Sequence, residues 1–302
     1  MGLAMADELK GMLDFWSVDR PDLILLQGDR GEILAGALAA VHLGIHIGHT
    51  HGGERSGTLD ESFRHAISKL SHFHFAATES SRNRLISMGE SSDHIWVIGG
   101  PGLVGLTDNV VSDRAWLTRE FDLPESKPVA LVIFHPVVQE ASRGYSQMRT
   151  IVDSILNSGC SLLLLRPNSD AGGSEIDRYI DGIENRECVS VRTHLHRDTY
   201  LKALASSDFL LGNSSSGIVE SASFGIPCVN LGSRQQDRER NLNVIDCPDI
   251  TDSNVTEAIR KALNLKGPFP NAYGDGSADT KLLEILEEIE LNDSVLNKCN
   301  SY

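Results

Sequence analysis

The chain predicts an α/β fold built from two parallel-sheet domains, and three observations carry that expectation. Short apolar runs recur along its length, each run is followed by a polar or small-residue turn and a helix-like stretch, and a Pro-rich polar break at Leu123-Pro124-Glu125-Ser126-Lys127-Pro128 divides the series. Strands that alternate with helices pair in parallel, because a parallel connection needs a crossover long enough to hold a helix.

In the first half, Leu23 to Gln27 reads as a strand ended by Gly28-Asp29-Arg30, and the Ala-rich Ile33 to Leu43 as a helix packed closely on a sheet. His46 to Gly48, Phe73 to Ala77 and Ile95 to Ile98 follow as strands, with Ser62 to Leu70 and Ser80 to Met88 as helices. One helix-like segment, around Leu9 to Phe15, precedes them. An open doubly wound half usually carries about five or six strands. The first domain therefore reads as incomplete.

Past the break, Val129 to Phe134, Ser161 to Leu165, Val189 to Val191, Phe209 to Gly212 and Cys228 to Leu231 read as buried strands. Met148 to Asn157, Thr199 to Ala205, Gly217 to Phe224 and Val255 to Leu263 read as helices. We place the domains at residues 1–122 and 123–302, two Rossmann-like halves facing each other across a cleft. Leu291 to Tyr302 reads as a frayed tail.

Composition narrows the function. A chain of 302 residues with 40% hydrophobic content can bury substantial cores, and a net charge of -15 offers no basic face for nucleic acid or an anionic membrane. The five cysteines include no C-x-x-C pair, which supports neither a disulfide framework nor a zinc knuckle and fits a reducing cytoplasm. The opening residues lack a basic region followed by an apolar core, and no run approaches the roughly 18 apolar residues of a membrane span. A soluble, untargeted protein is expected.

The most informative stretch is His49-Thr50-His51-Gly52-Gly53-Glu54-Arg55-Ser56-Gly57-Thr58-Leu59-Asp60-Glu61, which follows a short apolar run. Loops after strands are where α/β folds place chemistry, and acids close together perturb one another as proton transfer requires. An exposed polar turn is the plainer reading, against which Gly52-Gly53 allows close approach of backbone to a ligand. His49-x-His51 and His72-x-His74 have a spacing that could ligate a metal, but alternation along a strand produces the same spacing, and His74 lies within an apolar run. Neither a metal nor a cofactor is expected.

In the second half, Leu210-Leu211-Gly212 leads through Asn213-Ser214-Ser215-Ser216-Gly217 into Ile218-Val219-Glu220. Two readings stand. The turn is a phosphate cradle with Glu220 accepting hydrogen bonds from a ribose, or Ser214 or Ser216 is an ordinary N-cap and Glu220 its dipole partner. His135 follows the strand Val129 to Phe134, where an imidazole can contact a leaving diphosphate or simply tie down the loop. Arg166 and Arg234 follow apolar runs at the same rim, as ligand donors or as solvated surface.

Taken together, Gly28-Asp29-Arg30, the His49 to Leu70 stretch, His135-Pro136-Val137, Arg166-Pro167-Asn168, Gly212 to Gly217 and Asn230-Leu231-Gly232-Ser233-Arg234-Gln235 resemble the UDP-N-acetylglucosamine 2-epimerase family. The Gly-Gly-Glu, Ser-Gly-Thr and Arg-His-Ala-Ile forms are closest to its hydrolysing branch, which starts sialic-acid-type sugar synthesis. The resemblance implies the two-domain arrangement of nucleotide-sugar glycosyltransferases, with the nucleotide held mainly by the second domain and a homo-oligomeric assembly. It also implies elimination of UDP to a 2-acetamidoglucal, then hydration to N-acetylmannosamine. Asp29, His51, Asp60 and His135 match catalytic positions; His51 stands where many relatives carry a glutamate, which implies a proton relay that differs or runs through Glu54. Ser214, Ser215, Gly217, Glu220 and Arg234 match nucleotide positions, with Arg30, Asn168 and His194 as neighbours. The family usually begins with a strand and a Gly/Arg loop that nothing before Leu23 matches, which again makes the first domain incomplete.

Overall fold

Residues 2–55, 59–137, 142–167 and 173–301 are described by a computed structural model of the chain. They fold into two units: Met1–Val104 with Ala272–Tyr302, and Gly105–Asn271.

The first unit runs α1 (Gly2–Val18), β1 (Leu23–Gln27), α2 (Gly31–Leu43), β2 (His46–Thr50), α3 (Leu59–Leu70), β3 (Phe73–Ala76), α4 (Glu79–Ser87) and β4 (Ile95–Val97). Its four strands pair in parallel in the order β1-β2-β3-β4. The Ala-rich α2 lies close on this sheet because small residues let a helix approach the strands. Ala37 and Ala40 pack with Leu26, Ile45 and Ile47. Gly44 ends the helix in the left-handed region at φ 63°, its N–H donating back to Ala40 and Val41 carbonyls.

The second unit holds α5 (Arg114–Glu120), β5 (Val129–Ile133), α6 (Gly144–Asn157), β6 (Ser161–Leu165), α7 (Gly173–Asp181), β7 (Val189–Arg192), α8 (Arg197–Ser206), β8 (Phe209–Gly212), α9 (Ser215–Val219), β9 (Cys228–Leu231), β10 (Val244–Cys247) and α10 (Asp252–Asn264). A six-stranded parallel sheet, ordered β10-β9-β8-β5-β6-β7, forms its centre. One face packs Val132, Phe134, Leu162, Leu164 and Leu211 under α6, α7 and α10. The other packs Leu131, Ile133, Leu163 and Leu210 with Leu117, Phe121 and Leu204.

The contacts divide the chain differently from the boundary read after residue 122. Helix α5 and Phe121 bury against Val129 and Leu131, so this segment belongs with the second sheet. The segment after Asn271 leaves that sheet and covers the first one through α11 (Ala278–Glu288), whose Leu282, Ile285 and Leu286 pack on Phe73, Phe75 and Ile98.

The tail read as frayed is instead ordered. It forms α12 (Asp293–Leu296), Val295 is buried, and Ser301 N–H donates to the Gly89 carbonyl at 2.8 Å. Lys298 Nζ meets Glu90 Oε2 at 2.7 Å, and the same carboxylate accepts from His74 Nε2 at 2.9 Å and pairs with Lys69 at 2.6 Å. His74 is fully buried, as its apolar context implied. Burial alone would raise the Glu90 carboxyl, but hydrogen bonds from His74, Lys298 and Lys69 carry it down to about 2.

Glu90→Gln removes the counter-charge of both lysines. We expect it to lower unfolding free energy by about 2–3 kcal/mol, less than for a fully buried pair because the lysines keep some solvent. The carboxyl is depressed in the folded state, so its contribution is complete above its ordinary value of 4.5 and is lost as pH falls toward 2. Urea melts of wild type and variant should differ at neutral pH and converge in acid.

Candidate functional site

Two clusters form at the carboxyl ends of the strands, one in each unit. In the first unit, β1 turns out of the sheet at Gly28, whose φ of 96° suits a residue without Cβ, and delivers Asp29 to the rim. Asp29 is paired with Arg64 of α3, a guanidinium only 3% exposed, which also donates to the Glu54 carbonyl at 3.0 Å. His49 fixes the turn from below. Its Nε2 donates to the Gly28 carbonyl at 2.9 Å, so its Nδ1 accepts from the Ser68 hydroxyl at 3.0 Å. Burial lowers His49 to about 3, and it works as a neutral latch.

His51 directly follows β2, and its Nδ1 lies 2.6 Å from Glu54 Oε1. The sequence reading expected acids acting on one another here. The structure instead pairs these carboxylates with cationic or imidazole partners: Asp29 with Arg64 and Glu54 with His51. Helix α3 also begins three residues earlier than read, so Asp60 and Glu61 sit in its first turn, where the helix dipole favours acids. Asp60 is exposed, and Glu61 faces His65 one turn on, at 3.8 Å. Arg30 is an exposed residue at the N-cap of α2.

In the second unit the organising residue is Asn213, which is 1% exposed. Its Oδ1 accepts from His135 N–H at 2.7 Å and its Nδ2 donates to the His135 carbonyl at 2.8 Å, clamping the end of β5 to the end of β8. The Asn213 carbonyl accepts from Arg234 and Gln235, both at 3.1 Å, which draws in the loop after β9. Close approach requires Gly212: a Cβ there would lie 1.9 Å from the Ile133 carbonyl oxygen.

The serine turn that follows is compact. Ser214 is the N-cap of α9, with Ser215 as the first helical residue, two positions before the helix start read from sequence. Ser216 Oγ donates to Glu220 Oε2 at 2.5 Å and also meets the Tyr200 hydroxyl of α8. Arg197 reaches the other Glu220 oxygen at 3.6 Å. Of the two readings of this turn the structure shows the capping one, with Ser214 at the N-cap, while Glu220 is engaged by Ser216 and Arg197.

A cavity of about 460 Å³ opens beside this edge, lined by His135, His194, Arg197 and Tyr200 with Leu165 and Pro167. His135 and His194 thus share one cavity. Arg166 touches it too, but its guanidinium is held by Asp177, Asp181 and Glu184 at 3.0, 2.7 and 3.3 Å. Asn168 lies outside the described residues. Arg64, Asn213, Tyr200 and Arg197 were given no role by sequence, although Arg64 and Asn213 stand within the motifs.

Residues 1–287 match the model of the UDP-N-acetylglucosamine 2-epimerase family. The chain belongs to this family. It is similar to the UDP-N,N'-diacetylbacillosamine 2-epimerase (hydrolyzing) of Legionella pneumophila, 45% identical over the whole of this chain and 80% of that protein. It is also similar to the UDP-N-acetylglucosamine 2-epimerase of Neisseria meningitidis, 32% identical over 89% of this chain and 71% of the relative. Among solved structures, the Neisseria meningitidis UDP-GlcNAc 2-epimerase bound to UDP-GlcNAc matches with a TM-score of 0.79, at 20% identity, over 94% of this chain and 81% of that one. Its fold is that of the epimerase family.

Gly217 of this epimerase-family chain shows how tightly the serine turn sits on the sheet: a Cβ there would lie 2.5 Å from Cys228 Sγ. Gly217→Ala should cost about 1–3 kcal/mol by overpacking. Adding Cys228→Ala should recover part of that loss in denaturant melts, the remainder coming from Leu210 Cδ2 at 2.9 Å from the same position.

Proposed function

We propose that the chain is a hydrolysing 2-epimerase of UDP-linked 2-acetamido sugars. It converts UDP-N-acetylglucosamine and water to N-acetylmannosamine and UDP in amino-sugar biosynthesis of the sialic-acid type. The observation that carries this reading is the 45% identity to a hydrolysing 2-epimerase over the entire chain.

The residues suit the chemistry. As the anomeric C–O bond breaks, positive charge spreads over C1 and the ring oxygen and makes the C2 hydrogen acidic. A carboxylate then removes it. We assign that to Asp29, oriented by Arg64, with Asp60 on the same helix as Arg64. The departing diphosphate gathers negative charge, which His135 and the Ser214-Ser215 turn are suited to stabilise. Glu220 is assigned to the ribose, and Arg30, His194, Arg234 and Asn168 to the nucleotide. The product pair follows: a 2-acetamidoglucal and UDP, then water addition.

The Legionella pneumophila relative is named for a UDP-linked diacetamido sugar. That favours a second substrate within the same chemistry, UDP-N,N'-diacetylbacillosamine. Among the described residues no helix is long and apolar enough to cross a membrane. The buried free thiols Cys160, Cys188, Cys228 and Cys247 suit a reducing, cytoplasmic setting, and homo-oligomeric assembly completes the proposal on the strength of the resemblance.

Proton NMR of reactions with either UDP-sugar should show UDP and a free 2-epimeric sugar. A UDP-linked epimer as the sole product would contradict the hydrolysing assignment. Asp29→Asn should lower kcat by about 100-fold or more while leaving the affinity for UDP unchanged in calorimetry.

A further inference from the structure

We propose that Tyr200 is a positioning residue for the nucleotide: its hydroxyl fixes the Ser216 hydroxyl, which in turn holds the Glu220 carboxylate in the orientation that accepts the ribose hydroxyls. This rests on the assignment of Glu220 to the ribose above. Tyr200 itself lies outside every motif read from the sequence.

The contacts run outward from the core. Tyr200 stands in the first turn of α8, its N–H donating to the His196 carbonyl at 2.8 Å, and its ring packs, like Leu195 and Phe224, against the core that holds Leu204, Leu210 and Cys228. A ring seated in this way delivers its hydroxyl to one place. That place is the Ser216 hydroxyl of α9. Ser216 Oγ gives its single hydrogen to Glu220 Oε2 at 2.5 Å, so the phenol donates and the serine oxygen accepts. Burial raises the Tyr200 phenol above its ordinary value, which keeps that hydrogen in place at neutral pH.

The direction of hydrogen bonding is thereby set along the whole chain of groups. A serine hydroxyl alone turns about its C–O bond and donates equally well to water; with the phenol on one of its lone pairs, its hydrogen points away, toward Glu220.

Glu220 needs such a hold. It is the C-cap of α9, a helix of five residues, and a glutamate side chain free to rotate there would lose that freedom when a ligand binds. Arg197 meets the other carboxylate oxygen at 3.6 Å but is 57% exposed, so water screens it. The Tyr200 and Ser216 pair is the firmer restraint. It leaves Oε1 and the second lone pair of Oε2 to accept, two neighbouring oxygens that suit the vicinal 2′ and 3′ hydroxyls of a ribose. Tyr200 also lines the cavity of about 460 Å³, so the restraint starts at the cavity wall.

The test uses the full chain with Tyr200→Phe, which removes one oxygen and keeps the ring in its packing, and with Ser216→Ala as the second variant; melts confirm folding. Calorimetry is run with UDP and with 2′,3′-dideoxyuridine diphosphate, which lacks both hydroxyls assigned to Glu220. We expect Tyr200→Phe to weaken UDP binding about 5-fold and Ser216→Ala about 10-fold, while the dideoxy nucleotide binds each variant within about 2-fold of wild type. The double variant should be no weaker than Ser216→Ala, because the phenol acts through the serine. In turnover the loss should appear in KM for the UDP-sugar with kcat held, since the ribose contact is the same in ground and transition states. Equal losses for both nucleotides would show a packing role and overturn the proposal, as would wild-type UDP affinity in folded Tyr200→Phe or losses that multiply in the double variant. A wild-type protein that binds UDP and the dideoxy nucleotide alike would overturn the assignment of Glu220 itself, and one that binds neither would overturn the nucleotide reading, each visible before any variant is compared.

Discussion

A parallel sheet covered on both faces leaves its strand ends as the place where polar side chains can meet, and in the second unit one buried amide decides how they meet. Asn213 satisfies both backbone groups of His135 and takes the Arg234 and Gln235 donors on its own carbonyl. Without it, the buried polar groups it pairs would lose partners, at a cost of about 1–3 kcal/mol for each left unsatisfied. His135, the serine turn and Arg234 come from three strand ends, and this residue is what they share. The first unit uses charge for the same purpose: Arg64 binds the Asp29 turn and the Glu54 carbonyl, while neutral His49 ties Gly28 to α3.

The histidines of the first unit divide by hydrogen bonding. His72 accepts the Ile47 N–H at 3.0 Å and is lowered to about 4, chiefly by burial, so it joins the sheet as a neutral acceptor. His49 does likewise between two elements. His74 lies on a buried acid that gathers the chain's C-terminal segment. His51 alone of these four is backed by a carboxylate while keeping a quarter of its side-chain surface exposed. Similar residue types at period-two spacing thus serve as latch, acceptor, ion-network member and half-exposed carboxylate partner, which composition cannot distinguish.

The strands were legible because buried parallel strands are written as continuous apolar runs, and Val129–Ile133, Ser161–Leu165 and Cys228–Leu231 stand where the runs placed them or within a residue. Strand β10 was passed over: at the sheet edge its Ile245-Asp246 alternation gives no such run. Helix α7 did carry a signal, Ile176, Tyr179 and Ile180 at helical spacing, all buried. The ordered tail and the clamp at His135 escaped for a different reason. Lys298 finds Glu90 across 208 residues and Asn213 finds His135 across 78, and pairings at that range leave no local trace. The motifs named Asp29, His51, His135 and the serine turn, but not the residues that hold them.

The central claim is that proton removal at C2 and departure of the diphosphate belong to one reaction catalysed by these strand-end residues. Running the reaction in deuterium oxide and reading the free sugar by NMR tests it most directly. The account predicts that every released sugar molecule carries solvent deuterium at C2, with one UDP formed for each. A free sugar that retains its original C2 hydrogen while UDP is released would contradict it.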